Sequence, residues 1–274
     1  MLPQWPRHAS LARGLNEVVR EVCLSFPEAE EVVSHGSPDF RVRGKTFASF
    51  VVNHHGDGRV ALWLNAPSGS QDHYTKSEPR HFFVPPYVGP RGWLGVHLNK
   101  GLSWERVAVL VRQAYEKVAP RALAESIGDT VKIKSPPAAL APHEIDPLKS
   151  PKAQAILKKL RQMYLCWPEV SEDVQFGSPV WRAGKKTFAW VHAGREGPRL
   201  QLYFWVGVAA QGLMTTDQRF AIPPYMGHQG WIALDVTRHC DWKEIRGLAF
   251  ASYRHFALQR MLKALDASDL RRPG

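Results

Sequence analysis

Cysteine is scarce in this sequence. Cys23, Cys166 and Cys240 are its three thiols. An odd number, without CxxC or comparable ligand spacing, argues against a disulfide framework and against a zinc site. The expectation is three buried or part-buried thiols in a reducing cytoplasm, with no metal. Long apolar runs are lacking too: nothing approaches the ~20 residues that span a bilayer, and MLPQWPRHAS has no basic segment followed by an apolar one. A cytoplasmic protein without a membrane span is expected. Catalytic signatures are missing as well. There is no GxSxG, no P-loop, no GxGxxG after a strand and no HExxH. No catalytic residue and no cofactor is therefore assigned, and a non-enzymatic role is expected.

What is present is a globular composition, 44% hydrophobic and 22% charged, with a net charge of +11. That balance buries real cores without staples and favours an acidic partner, nucleic acid before anionic membrane. The excess is spread out: residues 1–140 carry 17 basic and 13 acidic residues (+4), and residues 141–274 carry 19 and 12 (+7). With no long Lys/Arg run, any basic face must be assembled by folding.

The chain is duplicated. FPEAEEVVSHGSPDFRVRGKTFASF from Phe26 aligns without gaps on WPEVSEDVQFGSPVWRAGKKTFAWV from Trp167. FVPPYVGPRGW (Phe83 to Trp93) then recurs as AIPPYMGHQGW (Ala221 to Trp231), Trp104 recurs as Trp242, and Tyr115 as Tyr253. A period of domain size means two copies of a domain rather than a solenoid. The boundaries read as a first domain over 1–125, a Pro/Ala-rich linker over 126–147, a second domain over 148–265 and a basic tail over 266–274.

Each copy has the same coarse pattern. The helices SLARGLNEVVREVCLSF and SPKAQAILKKLRQMYL open them, the second with Ser150 as N-cap and Pro151 at the first helical position. A turn follows at Gly36-Ser37-Pro38 or Gly177-Ser178-Pro179. Next comes a strand pair starting at Lys45 or Lys186, joined by a polar Gly-rich loop. A short helix is expected over Ser70–Lys76, with a weaker equivalent near Gln211–Asp217. The Pro-Pro-Tyr turn leads into GWLGVHL or GWIALDV. A last helix starts after Ser103 or Asp241, where Asp241 and Glu244 read as a capping box. Val107, Leu110, Val111, Ala114 and Tyr115 form its buried stripe. The fold class is α+β: two similar domains, each a small antiparallel sheet packed with helices.

The ordered set Gly36-Ser37-Pro38, Phe40-Arg41, Gly44-Lys45-Thr46-Phe47-Ala48, Tyr87, Gly89, Gly92-Trp93, Trp104 and Tyr115 resembles the MmcQ/YjbR-like (DUF419) family. The second copy carries the set again, with Trp181-Arg182, Lys185-Lys186-Thr187-Phe188-Ala189, Tyr225, Gly227, Gly230-Trp231, Trp242 and Tyr253. The resemblance implies a compact domain of secretion-chaperone-like or frataxin-like topology. It also implies DNA binding through a double-wing arrangement of hairpins. Family members typically have one such domain, and this chain has two. The family often has a basic residue just before Gly-Trp; Arg91 supplies it in copy one, whereas copy two has Gln229 after His228.

Candidate nucleic-acid contacts follow. Arg41, Arg43 and Lys45 are spaced by two, so on one extended strand they would share a face. Copy two offers Arg182, Lys185 and Lys186. Such a ladder would contact phosphates, or it is a solvated face with local ion pairs to Glu30, Glu31 and Glu172. The loops NHHGDGR and GREGPR are candidate wings, bringing Arg59, Arg195 and Arg199; Arg91 adds a further cation. His54-His55 has no counterpart in copy two and is not taken as a metal site. The tryptophans read as core. The alternative is a small-molecule or protein-interaction module, with an aromatic cleft at Tyr87 and Trp93 and at Tyr225 and Trp231, or between the domains. QLYFWVGV in copy two is apolar enough for a strand buried on both faces or for an interaction surface.

Overall fold

The computed structural model describes residues 14–34, 36–133, 137–193 and 199–269. The chain divides into two compact units, Met1–Ile145 and Asp146–Gly274. Each is built around a six-stranded antiparallel sheet, ordered β1-β2-β3-β4-β6-β5 in the first and β7-β8-β9-β10-β12-β11 in the second. No helix among the described residues is long and apolar enough to cross a membrane.

In the first unit α1 (Leu15–Cys23) precedes β1 (Ala29–Ser34), β2 (Ser37–Val42), β3 (Lys45–Val52) and β4 (Val60–Leu64). Then come α2 (Ser70–Ser77), β5 (Phe82–Phe83), β6 (Leu94–His97), α3 (Trp104–Val118), α4 (Arg121–Glu125) and α5 (Pro142–Ile145). The second unit runs α6 (Pro151–Tyr164), β7 (Val170–Gln175), β8 (Ser178–Ala183), β9 (Lys186–Ala193), β10 (Leu200–Trp205), α7 (Val208–Met214), β11 (Phe220–Ala221), β12 (Trp231–Asp235), α8 (Trp242–Phe256) and α9 (Gln259–Asp269).

The helix starts obey capping chemistry. Ser103 Oγ accepts from Arg106 N–H, and Ser150 Oγ accepts from Ala153 N–H with Pro151 behind it. Asp241 accepts from Lys243 and Glu244 N–H. The capping box is half formed, because the Glu244 carboxylate is held by Arg219 instead.

The sheet is larger than the sequence pattern indicates. Ala29–Ser34 pairs with Ser37–Val42 ahead of the expected strand pair, and Val170–Gln175 pairs with Ser178–Ala183. AEEVVS and VSEDVQ do not read as strands because they are charged; charge is how an edge strand avoids pairing with another chain.

One face of each sheet carries the helices and the main core. In the first unit Phe26, Phe47 and Tyr115 meet there, Phe26 stacking on Tyr115 at 4.9 Å. The buried Tyr115 hydroxyl donates to Pro27 O at 2.6 Å. The second unit repeats this with Trp167, Phe188 and Tyr253, whose hydroxyl donates to Pro168 O at 2.8 Å. The opposite face carries a smaller cluster: Val51, Ala61, Trp63 and Trp93 in one unit, Tyr203, Trp231 and Ala233 in the other. The residues QLYFW lie in β10, with Leu202 and Phe204 in the main core and Tyr203 in the smaller cluster. A strand apolar on both sides is what two clusters on opposite faces require.

Of the stretch over 126–147, which reads as a linker, the described residues up to Ile145 belong to the first unit. Ile133 is buried in its core, and Ile127, Val131, Leu140 and Ile145 pack against it. The basic tail overlaps α9 up to Asp269; residues 270–274 lie outside the described residues.

Candidate binding surface

The strand arginines do not form a ladder. Arg41 lies on β2, Lys45 begins β3, and Arg43 sits between them in the two-residue turn with Gly44, both left-handed at φ 49° and 75°. Two left-handed residues closing Val42 onto Lys45 make the tight hairpin favoured between twisted strands. A hairpin turn, unlike one extended strand, does not align residues spaced by two.

Carboxylates hold four of the candidate cations. Arg41 pairs with Asp39 at 3.1 Å, and Ser49 Oγ donates to the other oxygen of Asp39 at 2.5 Å. Arg43 grips Glu28 with two hydrogen bonds. Arg182 reaches Asp173 at 3.2 Å and donates to Thr187 Oγ1. Arg59 lies over the Phe83 ring, 4.4 Å from its centre, with Asp57 at 3.6 Å. Lys45, Arg91, Lys185, Lys186 and Arg199 are exposed, without an ion pair among the described residues. Arg195 lies outside the described residues, as does most of the loop that carries it.

The duplicated Pro-Pro-Tyr segments are better defined. Val88 N–H donates to Pro86 O at 2.7 Å and Gly89 N–H to Pro85 O at 2.9 Å; Met226 to Pro224 and Gly227 to Pro223 repeat this at 2.8 and 3.0 Å. The first bond of each pair closes a γ-turn centred on a tyrosine, at φ 63° for Tyr87 and 66° for Tyr225. A non-glycine residue in this region is strained, and such strain gathers at functional sites. Both rings are turned outward, 69% exposed for Tyr87 and 87% for Tyr225. Trp93 and Trp231, expected to wall a cleft beside them, are buried against the sheet.

A glutamine on the preceding helix locks each turn. Gln71 Nε2 donates to Gly89 O and Trp93 O at 2.8 and 2.6 Å. Gln211 Nε2 donates to Gly227 O and Trp231 O, both at 2.7 Å. Four residues on, Thr75 and Thr215 each return a hydroxyl to the glutamine carbonyl. The sequence signal is Gln-x-x-x-Thr in both copies, hidden because the rest of α2 and α7 diverged. Gly89 and Gly227 are required by close approach: an added Cβ would lie 2.4 Å from Val84 Cγ1 and 2.2 Å from Ile222 Cγ2.

In the first unit the Tyr87 hydroxyl and His55 Nε2 are 3.1 Å apart, and the His54 ring lies between Tyr87 (5.7 Å) and Trp63 (5.0 Å). The β3–β4 loop thus leans on the Tyr turn. Burial pushes the Cys23 thiol well above its ordinary range, so it is a core group rather than a nucleophile. Cys240 is part-buried, and Cys166 is exposed rather than buried.

A family model described as YjbR matches residues 24–117 and again residues 165–255. The crystal structure of Deinococcus radiodurans protein DR2400, a DUF419 domain, is similar over 46% of this chain and 96% of that one, at 16% identity and a TM-score of 0.36. No curated protein matches the chain. The two family matches fall one in each structural unit and include both Tyr turns, both buried tyrosines and both β-hairpins. The chain belongs to the YjbR family and carries the family's domain twice.

Proposed function

We propose that this protein binds nucleic acid without catalysing a reaction, and that the first unit makes the contact through its Tyr87 turn. The observation that carries this reading is the outward, strained Tyr87 with the exposed Arg91 four residues on. An exposed ring offers a stacking platform worth about 1–3 kcal/mol per base, and a neighbouring guanidinium offers a phosphate contact. The net charge of +11 supplies long-range attraction. Arg41, Arg43, Arg59 and Arg182, already held by carboxylates, act in the fold. Lys45, Lys185, Lys186 and Arg199 are left as the outlying phosphate contacts. The second unit has Gln229 in place of Arg91, so its turn lacks that phosphate contact.

Fluorescence anisotropy with a labelled oligothymidylate tests this. Tyr87→Ala is expected to weaken binding about tenfold or more, as loss of one stacked base does. Arg91→Gln is expected to weaken it and to flatten the salt dependence by about one counterion. Arg43→Gln leaves both unchanged. Tyr87→Gly binds as weakly as Tyr87→Ala but is about 1 kcal/mol more stable in urea, because glycine releases the left-handed strain. Absence of binding at low salt, or full affinity in Tyr87→Ala, defeats the proposal.

A further inference from the structure

We infer that the second unit carries a self-association face whose occupant is a second copy of this chain. Leu200–Thr216 and Phe220–Leu234 contain no Asp, Glu, Lys or Arg, in a chain that is 22% charged. The solvent side of α7 is Val208, Ala209, Gly212 and Leu213, and the adjoining turn adds Ile222 and Tyr225. Val208 is 64% exposed, Leu213 78%, Ile222 56% and Tyr225 87%. The two bonds from Gln211 make helix and turn one piece of surface.

The first unit is the internal control. Gln71 and Thr75 align with Gln211 and Thr215, which places Ser68, Asp72, His73 and Lys76 where the second unit has Val208, Gly212, Leu213 and Thr216. One copy kept a wet face on this helix, and the other replaced every polar outward group except a threonine with apolar ones. A solvated helix keeps its polar face; losing it marks a contact.

Charge and area select the occupant. Two chains of net charge +11 repel one another over most of their surfaces, and a charge-free face is where they approach at least cost. Such a face offers a polyanion nothing to pair with. The four exposed side chains present roughly 500 Å², a large part of the ~800 Å² that each partner gives a standard interface. The association is isologous, α7 facing its own copy across a twofold axis, which closes at a dimer.

Sedimentation velocity on the full chain, from about 1 to 100 µM, tests the inference; this range brackets the affinities of interfaces at the smaller end of the standard size. A dimer is expected. Leu213→Asp, at an exposed position outside both clusters, is expected to raise the dimer dissociation constant at least tenfold with an unchanged circular dichroism spectrum, whereas His73→Asp in the first unit leaves it unchanged. A chain that stays monomeric at the top of the range overturns the inference, as does a dimer indifferent to Leu213→Asp. A monomer that instead captures a synthetic amphipathic Leu/Glu helix, sensitively to Leu213→Asp, also overturns it and gives the face to a foreign helix.

Discussion

Arg43 and Gly184 occupy the same place in the two units and show how one ion pair survives a change of source. In the first unit Arg43 holds Glu28; in the second the corresponding Glu169, also left-handed at φ 52°, is held by Arg260 of α9 at 2.7 Å. Gly184 leaves room for this: a Cβ there would meet the Met261 methyl at 2.8 Å. His97 closes β6 over Phe83, and its pKa is lowered first by burial and then by the nearby Arg59 and Lys100. A histidine held neutral in the fold contributes stability that is present above its ordinary value near 6.5 and is lost as pH falls through the lowered folded value. The first unit is therefore expected to lose melting temperature between neutral pH and about pH 5, where ordinary histidines protonate. His97→Gln is expected to flatten that loss in thermal melts followed at several pH values. The second unit carries Asp235 at this position.

At the scale of elements, the units keep contacts while exchanging their chemistry. Arg20 on α1 grips Glu31 on β1, and Arg161 on α6 grips Glu172 on β7, the same pair twice. Between the β5 approach and the last helix the signs are reversed. Glu78 meets Arg106 of α3 in the first unit, whereas Arg219 meets Glu244 of α8 in the second, with Arg106 and Glu244 at equivalent positions. The Gln lock is also kept in both units. Gln211→Leu removes both donors and strands the Gly227 and Trp231 carbonyls, with an expected cost of about 2–3 kcal/mol in denaturant unfolding. Gln71→Leu is expected to cost a similar amount in the first unit. Helices α1, α3, α6 and α8, the cap at Ser150 and the Tyr115 stripe were legible in the sequence because 3.6-residue periodicity and capping are local; α4, α5 and α9 were not, and α7 begins three residues ahead of its expected place. The outer strands β1 and β7 were not, since their charges mask a period of two. The Gln lock was not legible either, because two matching residues in a diverged helix show their meaning only beside the carbonyls they meet.

At the scale of the whole molecule, the two units each have a main core and a smaller cluster on the far face of the sheet. The first unit's core extends past residue 125, through Ile133 and its neighbours. A fragment ending at residue 145 is expected to be more stable in urea than one ending at 125. Burial of Ile133 alone accounts for about 1.5–3 kcal/mol of that gap. Equal stability of the two fragments would return the segment to the role of a tether. The duplication, the α+β class, the caps at Ser150 and Asp241 and the buried Tyr115 and Tyr253 could be read from residue order alone, because repeats, periodicity and capping are short-range. Which arginines are already held, that both turn tyrosines face water, and that one copy's helix is wet where the other's is apolar emerge from the folded chain. The partners involved stand as far apart as Glu169 and Arg260, 91 residues along the chain. No local pattern carries that information; it exists only once the chain has closed around its cores.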